Sequence, residues 1–304
     1  MRNKFADVIF EIGQTNKNIC ALVADISPAG SMIKFQEKFP ERFINTGVAE
    51  QSMIGIAAGM ALRGMRPFCY TIATFSLYRP FEIIRVDLCY QNLPVTIVGM
   101  GAGLIYSTLG STHHSMEDIA IASALPNMQV MAPCDPDEMR LATEWCANKS
   151  QNPTYMRLSK AGEPNLTDKA EKFEFGKIRY LSKGDDFAII SYGVTVKLAF
   201  ELKKKLENTA NTVSVISCHT IKPLDKRGIL DMLNKHKKVI VLEEMIPTGG
   251  LSSLVTEIAL SNNIVNKLKC FTLKDEFIKF YGSHDELLTK HNLSLDFIIN
   301  NLSE

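Results

Sequence analysis

Short runs of apolar, β-favouring residues alternate along this chain with segments in which apolar residues recur every three or four positions. Six of the runs lie in the first half, at 19–25, 42–45, 67–73, 95–100, 128–133 and 154–159. Four more lie in the second half, at 187–193, 212–218, 238–244 and 268–274. Continuous apolar strands that alternate with helices are typical of parallel sheets covered by helices on both faces. The pattern therefore predicts a doubly wound α/β fold.

The alternation is interrupted once, by residues 160–186, which are polar, charged and rich in turn-forming residues. Helices are predicted on both sides of this interruption, at 49–63, 75–91, 116–124, 136–148, 194–207, 225–236 and 249–261. A chain of 304 residues is long for one domain and sufficient for two. We therefore expect a first domain over 1–160, a linker over 161–186 and a smaller second domain over 187–304.

The balance of charges excludes some classes of partner. The chain has 34 basic and 33 acidic residues, so its net charge of +1 predicts binding to neither nucleic acid nor an anionic membrane. No apolar run approaches the ~20 residues that span a bilayer, and the N-terminus lacks the apolar core of a signal peptide. The seven cysteines are scattered and never form a CxxC pair. A reduced, cytoplasmic protein is expected, with no disulfide framework and no metal site.

One carboxylate stands where a charge is costly. Glu50 lies in "NTGVAEQSM", immediately before the apolar helical stretch "IGIAAGMALRGM". An acid at this position can simply complement the helix dipole, which contributes less than ~1 kcal/mol. Alternatively, an acid among apolar residues can hold or share a proton near neutral pH, which suits acid–base chemistry. The residues alone leave both interpretations open.

Two further patterns have a structural and a functional interpretation. Phe75, Tyr78 and Phe81 are spaced at i, i+3 and i+6, which fits either an aromatic stripe in the core or a stacking surface for a flat heterocycle. The Gly/Ser/Thr-rich loop 99–120 follows a predicted strand and carries His113 and His114. A histidine there either faces a substrate or ties the loop together. No third residue is spaced to complete a metal site with the pair.

Five strings in order resemble the C-terminal half of transketolase: "ADISP", "NTGVAEQSM", "TFSLYRPF", "GSTHHSMEDIA" and "PTYMRLSK". The second half of the chain is similar to the same family through "SYGVTVKLAFEL", "HTIKPLD" and "VLEEMIPTGGLSS". The resemblance covers nearly the whole chain. It implies a parallel-sheet pyrimidine-binding domain followed by a smaller, mixed-sheet transketolase C-terminal domain.

The resemblance also implies a cofactor, thiamine diphosphate, and roles for particular residues. Glu50 matches the acid that touches the ring nitrogen of the aminopyrimidine and shares a proton there. His113 matches the histidine that faces the substrate and takes part in catalysis. The other residues that the family places at the cofactor are Asp25, near it, and Phe75, Tyr78 and Phe81, around the pyrimidine.

The half of the site that binds the diphosphate is missing from this chain. The family holds the diphosphate and Mg²⁺ through Gly-Asp-Gly and a later Asn, and the nearest string here, "KGDDF" at 183–187, lies in the predicted linker. The resemblance therefore implies one subunit of a split transketolase. Two copies would assemble with two copies of an N-terminal subunit that holds the Mg²⁺, and the chain alone would form a dimer.

Three positions depart from the family pattern where a sugar or sugar phosphate would bind. Leu109 replaces the usual Asp, Gly101 stands where transketolases often have a histidine that contacts phosphate, and Lys160 replaces an arginine. Lysine keeps a positive charge for phosphate but loses the bidentate fork. The departures argue against a standard pentose-phosphate acceptor.

Other functions are compatible with the same fold. The chain could resemble 1-deoxyxylulose-5-phosphate synthase or the β chain of 2-oxo-acid dehydrogenase decarboxylases, both of which decarboxylate their donor. It could also be a non-catalytic regulatory subunit. A generic nucleotide-binding domain is disfavoured because no GxGxxG or P-loop string follows the first strand.

Overall fold

The computed structural model describes residues 1–26, 31–160 and 162–302. These residues form two β-sheets, one of seven strands and one of five, and helices cover both. The predicted α/β, doubly wound fold class is confirmed. The last two residues of the "ADISP" string lie outside the described residues.

The first sheet is built almost entirely from the first half of the chain. Its strands in the first half are β1 (Ile19–Val23), β2 (Phe43–Asn45), β3 (Arg66–Ile72), β4 (Thr96–Met100), β5 (Gln129–Met131) and β6 (Thr154–Leu158). All pairings among these six strands are parallel. β1, β4 and β6 are buried along their whole length, which explains why they read as continuous apolar runs.

Among the described residues, seven helices lie around this sheet: α1 (Arg2–Thr15), α2 (Ser31–Lys38), α3 (Glu50–Leu62), α4 (Ala73–Leu77), α5 (Phe81–Ile83), α6 (Asp118–Ala124) and α7 (Pro136–Asn148). The single helix predicted over 75–91 was wrong. The structure ends α4 at Leu77, and a π-helical segment, Ile84–Tyr90, follows α5. Pro80 explains the break, because proline lacks the N–H that a continuous helix needs and its ring clashes with the preceding turn.

The second sheet is mixed, as the family resemblance implied. Its strands are β7 (Arg179–Ser182), β8 (Phe187–Ser191), β9 (Val213–Ser217), β11 (Lys238–Leu242) and β12 (Leu268–Phe271), in the order β12-β11-β8-β9-β7. β7 pairs antiparallel with β9 and lies inside the segment that the sequence predicted to be a linker. Its helices are α8 (Thr195–Glu207), α9 (Lys226–Lys235), α10 (Leu251–Ser261), α11 (His284–Lys290) and α12 (Leu295–Asn300).

The two halves of the chain share a sheet and a hydrophobic core. Strand β10 (Thr220–Lys222) belongs to the second half but pairs antiparallel with β5 and completes the first sheet. One hydrophobic cluster contains buried residues of both halves, among them Leu22, Ile97, Ile190 and Val241. The shared core holds loops of the second half against loops of the first, which matters for the site described next.

Candidate active site

Most of the predicted site residues lie at one edge of the first sheet. Asp25 follows β1, Glu50 follows β2, and Phe75 follows β3. His113 lies in the long loop after β4, and Lys160 follows β6. In an open α/β sheet, ligands bind outside the carboxyl ends of the parallel strands. The parallel topology therefore collects residues that are far apart in the sequence.

Glu50 is the first residue of α3, and only 3% of its surface is exposed. The N-terminus of a helix is favourable for a negative charge because the backbone N–H groups point toward it. One guanidinium nitrogen of Arg79, Nη1, lies 3.1 Å from each carboxylate oxygen of Glu50. Arg79 itself is 43% exposed, so the ion partner of this buried acid reaches the surface.

A row of contacting groups leads from this acid to the predicted substrate residue. The guanidinium of Arg79 lies 4.2 Å from the centre of the Phe75 ring. The edge of the Phe75 ring meets His113, with ring centres 5.1 Å apart. Glu50, Phe75 and His113 are thus brought to one place. Sequence reasoning missed Arg79, although it lies inside the quoted "TFSLYRPF" string.

The other residues predicted to lie at the cofactor are not arranged as a single stripe. Tyr78 follows the end of α4, and its hydroxyl donates to Oε2 of Glu117 at 3.1 Å. Burial raises the pKa of the Tyr78 phenol, so this hydroxyl remains protonated. Phe81 begins α5 and packs partly buried against the shared core. Asp25 is exposed, with a positive φ of 45°, and its backbone N–H donates to Asn45 Oδ1 at 3.2 Å.

His113 lies at the surface of the site, and its neighbour points inward. Nδ1 of His113 is 2.9 Å from the Thr112 hydroxyl. Partial burial lowers the pKa of His113, so the imidazole is neutral near pH 7. His114 is almost fully buried, and burial lowers its pKa also. The two histidines have different surroundings: His113 is half-buried beside Phe75 and Tyr106, whereas His114 packs inside the loop.

The glycine that replaces a histidine has a structural explanation. Gly101 has a φ of +71°, and a Cβ atom there would lie 2.1 Å from the ring of Tyr106. The Tyr106 ring also meets His113 edge-on at 5.9 Å, and Nζ of Lys160 lies 5.4 Å from its centre. Tyr106 therefore occupies the space where a side chain of residue 101 would extend. Leu109, which is 47% exposed, offers this loop an apolar group in place of a carboxylate.

Two family models match the chain. One, the transketolase pyrimidine-binding domain, matches residues 1–163, and the other, the transketolase C-terminal domain, matches residues 176–296. The chain belongs to the transketolase family.

This transketolase chain is similar to separate subunits along almost their whole length. A putative transketolase C-terminal section from Methanocaldococcus jannaschii is 34% identical, covering the whole chain and 95% of that protein. One of the subunits of an apulose-4-phosphate transketolase from Actinobacillus succinogenes is 32% identical over 93% of the chain and 90% of that protein. A solved split-gene transketolase, an inactive β4 tetramer, superposes with a TM-score of 0.87 at 32% identity, over 98% of this chain and 95% of that one.

Similarity to longer enzymes of the family is confined to part of their length. A 1-deoxy-D-xylulose-5-phosphate synthase from Gloeothece citriformis is 32% identical over 90% of this chain but only 43% of its own length. The chain therefore corresponds to the C-terminal half of a transketolase, as a transketolase-type enzyme subunit.

A buried ion pair lies behind the site of this transketolase subunit. The Nε of Arg157 lies 3.0 and 3.2 Å from the carboxylate oxygens of Asp118, and the Tyr155 hydroxyl donates to the same carboxylate at 2.7 Å. All three side chains are buried. Sequence reasoning missed this cluster because the paired residues are 39 positions apart.

The described residues contain neither a metal-binding cluster nor a membrane-spanning helix. Within 1–26, 31–160 and 162–302, no group of three or more His, Cys, Asp or Glu side chains is placed to hold a metal ion. None of the helices that the structure describes is long and apolar enough to cross a membrane.

Proposed function

We propose that this chain is the C-terminal subunit of a thiamine-diphosphate-dependent transketolase, which transfers a two-carbon ketol unit from a ketose donor to an aldose acceptor. The observation that carries the proposal is Glu50: a carboxylate 3% exposed at the start of an apolar helix, beside an aromatic ring at a sheet edge. A structural role alone does not require an acid at this depth.

The residues around Glu50 fit an aminopyrimidine. A carboxylate can share a proton with a ring nitrogen, and Phe75 offers an aromatic surface nearby. Thiamine diphosphate, when bound, supplies the nucleophilic carbon that donor cleavage requires. Glu50 would hold the proton at the ring nitrogen, and Arg79, which is 43% exposed, would turn toward solvent to release the carboxylate. His113, as a neutral imidazole, would exchange a proton or hydrogen bond with the substrate.

The diphosphate and its Mg²⁺ would be bound by a different subunit. The sequence lacks the Gly-Asp-Gly…Asn motif that the family uses for this purpose. The chain alone would therefore bind the cofactor weakly and show no ketol transfer. The inactive state of the related β4 tetramer supports this expectation for a C-terminal subunit without its partner.

Helix α3 offers a surface for that partner. Most of its residues are apolar, and around it Val48, Ile56 and Leu62 are 69%, 41% and 61% exposed. A Cβ atom at Gly55 or Gly59 would meet nothing within 4 Å among the described residues. Exposed apolar surface beside a site usually marks a protein interface. We propose that the N-terminal subunit covers this face and closes the site around Glu50, with two copies of each subunit.

The substrate would be a sugar with a terminal anionic group. Lys160 is exposed beside Tyr106, where its ammonium can meet an anion as a point charge. Gly101 and Leu109 provide neither the imidazole nor the carboxylate of a standard pentose-phosphate site. The relative from Actinobacillus is named for a sugar phosphate, apulose 4-phosphate, which is consistent with an anionic substrate.

A reconstitution experiment tests the proposal. The chain is purified alone and then mixed with the subunit that carries the Gly-Asp-Gly…Asn motif, and cofactor binding and donor cleavage are measured for each preparation. Ketol transfer only in the mixture is expected. Robust turnover by the chain alone would refute the split-enzyme assignment.

The choice of donor separates the alternatives. A ketose phosphate and pyruvate are supplied in parallel to the reconstituted complex. Carbon dioxide release from pyruvate, with no cleavage of the ketose, would support a decarboxylating enzyme of the same fold. No turnover of either donor, despite tight cofactor binding, would support a regulatory subunit.

A further inference from the structure

A carboxylate of the second domain reaches into the loop that carries His113. Glu244 follows strand β11 of the second sheet, and its side chain is 2% exposed. Its Oε1 accepts the backbone N–H of Leu104, which lies in the loop after β4 of the first sheet. The same oxygen is 3.0 Å from Nε2 of His284, at the start of α11. A hydrogen bond between the two domains therefore ends on this loop.

The bonded residue lies at the base of the loop. Gly103, next to Leu104, exchanges two backbone hydrogen bonds with Ser115, at 3.2 Å and 3.0 Å. These bonds close the segment 103–115, and His113 is two residues from its end. Holding Leu104 and Gly103 in place therefore restricts the backbone of the segment that carries His113.

The backbone of the loop favours glycine where it approaches Glu244. Gly103 has a φ of +68°, and a Cβ atom there would lie 2.4 Å from Oε1 of Glu244. Arg157 reinforces the junction, because its Nη2 donates to the backbone oxygen of Glu244 at 3.1 Å and to that of Ser115 at 3.5 Å. Arg157 thus bonds to the backbone on both sides of the contact between Glu244 and the loop.

We infer that Glu244 is a positioning residue through which the second domain sets the place of His113 in the active site. The catalytic consequence rests on the proposed function, whereas the ordering of the loop does not. Glu244 touches neither cofactor nor substrate in this proposal. Its carboxylate organises the loop 103–115, and His113 meets the substrate.

The adjacent acid provides a matched control. Glu243 is also buried, but its carboxylate accepts the N–H groups of Leu251 and Ser252, both at 2.8 Å, and the hydroxyl of Tyr192 at 3.1 Å. None of these donors lies in the loop 103–115. Substitutions of Glu243 therefore report the cost of losing a buried acid from the same place without releasing the loop.

Hydrogen exchange on the full chain tests the ordering directly. Glu244→Ala should raise amide exchange in 103–115 on the order of ten- to a hundred-fold, as expected for loss of a hydrogen bond to a charged group. Glu244→Gln, which keeps an acceptor oxygen, should restore most of the protection, and Glu243→Ala should leave this segment unchanged. Equal exchange of the loop in Glu244→Ala and Glu243→Ala would overturn the inference. If Glu244→Ala does not fold, Glu244→Leu and Glu243→Leu, which remove the acceptor oxygens but keep the volume, are compared by the same criterion.

Kinetics of the reconstituted complex test the consequence for catalysis. Glu244→Ala should lower kcat on the order of ten- to a hundred-fold with an unchanged Kd for thiamine diphosphate, and Glu244→Gln should recover kcat to within a few-fold. A parallel loss of kcat and cofactor affinity in both variants would mean a merely structural role and refute the inference. Absence of ketol transfer by the wild-type complex would refute the proposed function instead, and the exchange result would still decide the positioning of the loop.

Discussion

Replacing Glu50 by glutamine removes a proton-sharing group and leaves the shape of the site nearly unchanged. The amide is almost isosteric with the carboxylate, so packing at the start of α3 should survive. Arg79 loses its ion partner, but it is 43% exposed and can turn toward water. A half-exposed pair of this kind contributes at most about 1 kcal/mol to the free energy of unfolding.

The expected effect on turnover is much larger than the effect on stability. Losing a group that shares a proton in the transition state lowers the rate by about 10²–10⁴-fold. Because each tenfold loss corresponds to about 1.4 kcal/mol, the barrier should rise by about 3–5 kcal/mol. The two magnitudes differ enough for one variant to separate a catalytic acid from an acid that only complements the helix dipole.

The assay is donor cleavage by the reconstituted complex, measured alongside thermal unfolding of the chain. Glu82→Gln is the control, because Glu82 is a nearby but exposed carboxylate in α5. Turnover of the Glu50→Gln complex within a few-fold of wild type would refute the assignment of Glu50 as the acid. A large drop in melting temperature would show instead that the carboxylate holds the fold.

Four further outcomes are expected. His113→Ala should lower kcat by about 10²-fold while the Kd for thiamine diphosphate, measured by titration, stays within a few-fold. Lys160→Ala should raise KM several-fold for an anionic substrate and leave KM for an uncharged analogue unchanged, so equal effects on both would contradict the assignment. Asp118→Asn leaves Arg157 buried without its charge partner and should lower the free energy of unfolding in urea by about 3–5 kcal/mol. Burial lowers the pKa of His219 to about 3, whereas in the unfolded chain it is about 6.5. Because the unfolded chain then binds the extra proton, the contribution of His219 to stability should be lost as the pH falls below about 6.5, at about 1.4 kcal/mol per pH unit. Urea unfolding of His219→Gln should be correspondingly less sensitive to acid.

The sequence predicted those elements whose local pattern matches their final environment. Strands such as β4 and β6 are buried on both faces, so each appears as an unbroken apolar run. The helix predicted over 75–91 is broken in the structure, because Pro80 interrupts a segment whose apolar spacing is otherwise helical. Strand β7 lacks the apolar run of a buried strand, because three of its four residues are only partly buried at an edge of the sheet.

The candidate site was likewise predictable only in part. Glu50, Phe75 and His113 could be selected from the sequence, because each lies in a string of distinctive chemistry with a recognisable family order. The contacts of these residues could not be predicted from the sequence. Arg79 meets Glu50, and Tyr106 fills the space beside Gly101, through geometry that depends on where a helix breaks and how a loop folds back.

By itself, the sequence determined the α/β class, most of the alternation of strands with helices, the family and the acid at the start of α3, because all of these depend on residue type and on spacing within one segment. Tertiary structure alone decided that β10 completes the first sheet and that Glu244 accepts the backbone N–H of Leu104. The physical reason is distance along the chain. A hydrogen bond between residues 140 positions apart leaves no periodic signal in either segment, and it exists only because a shared hydrophobic core brings the two sheets together.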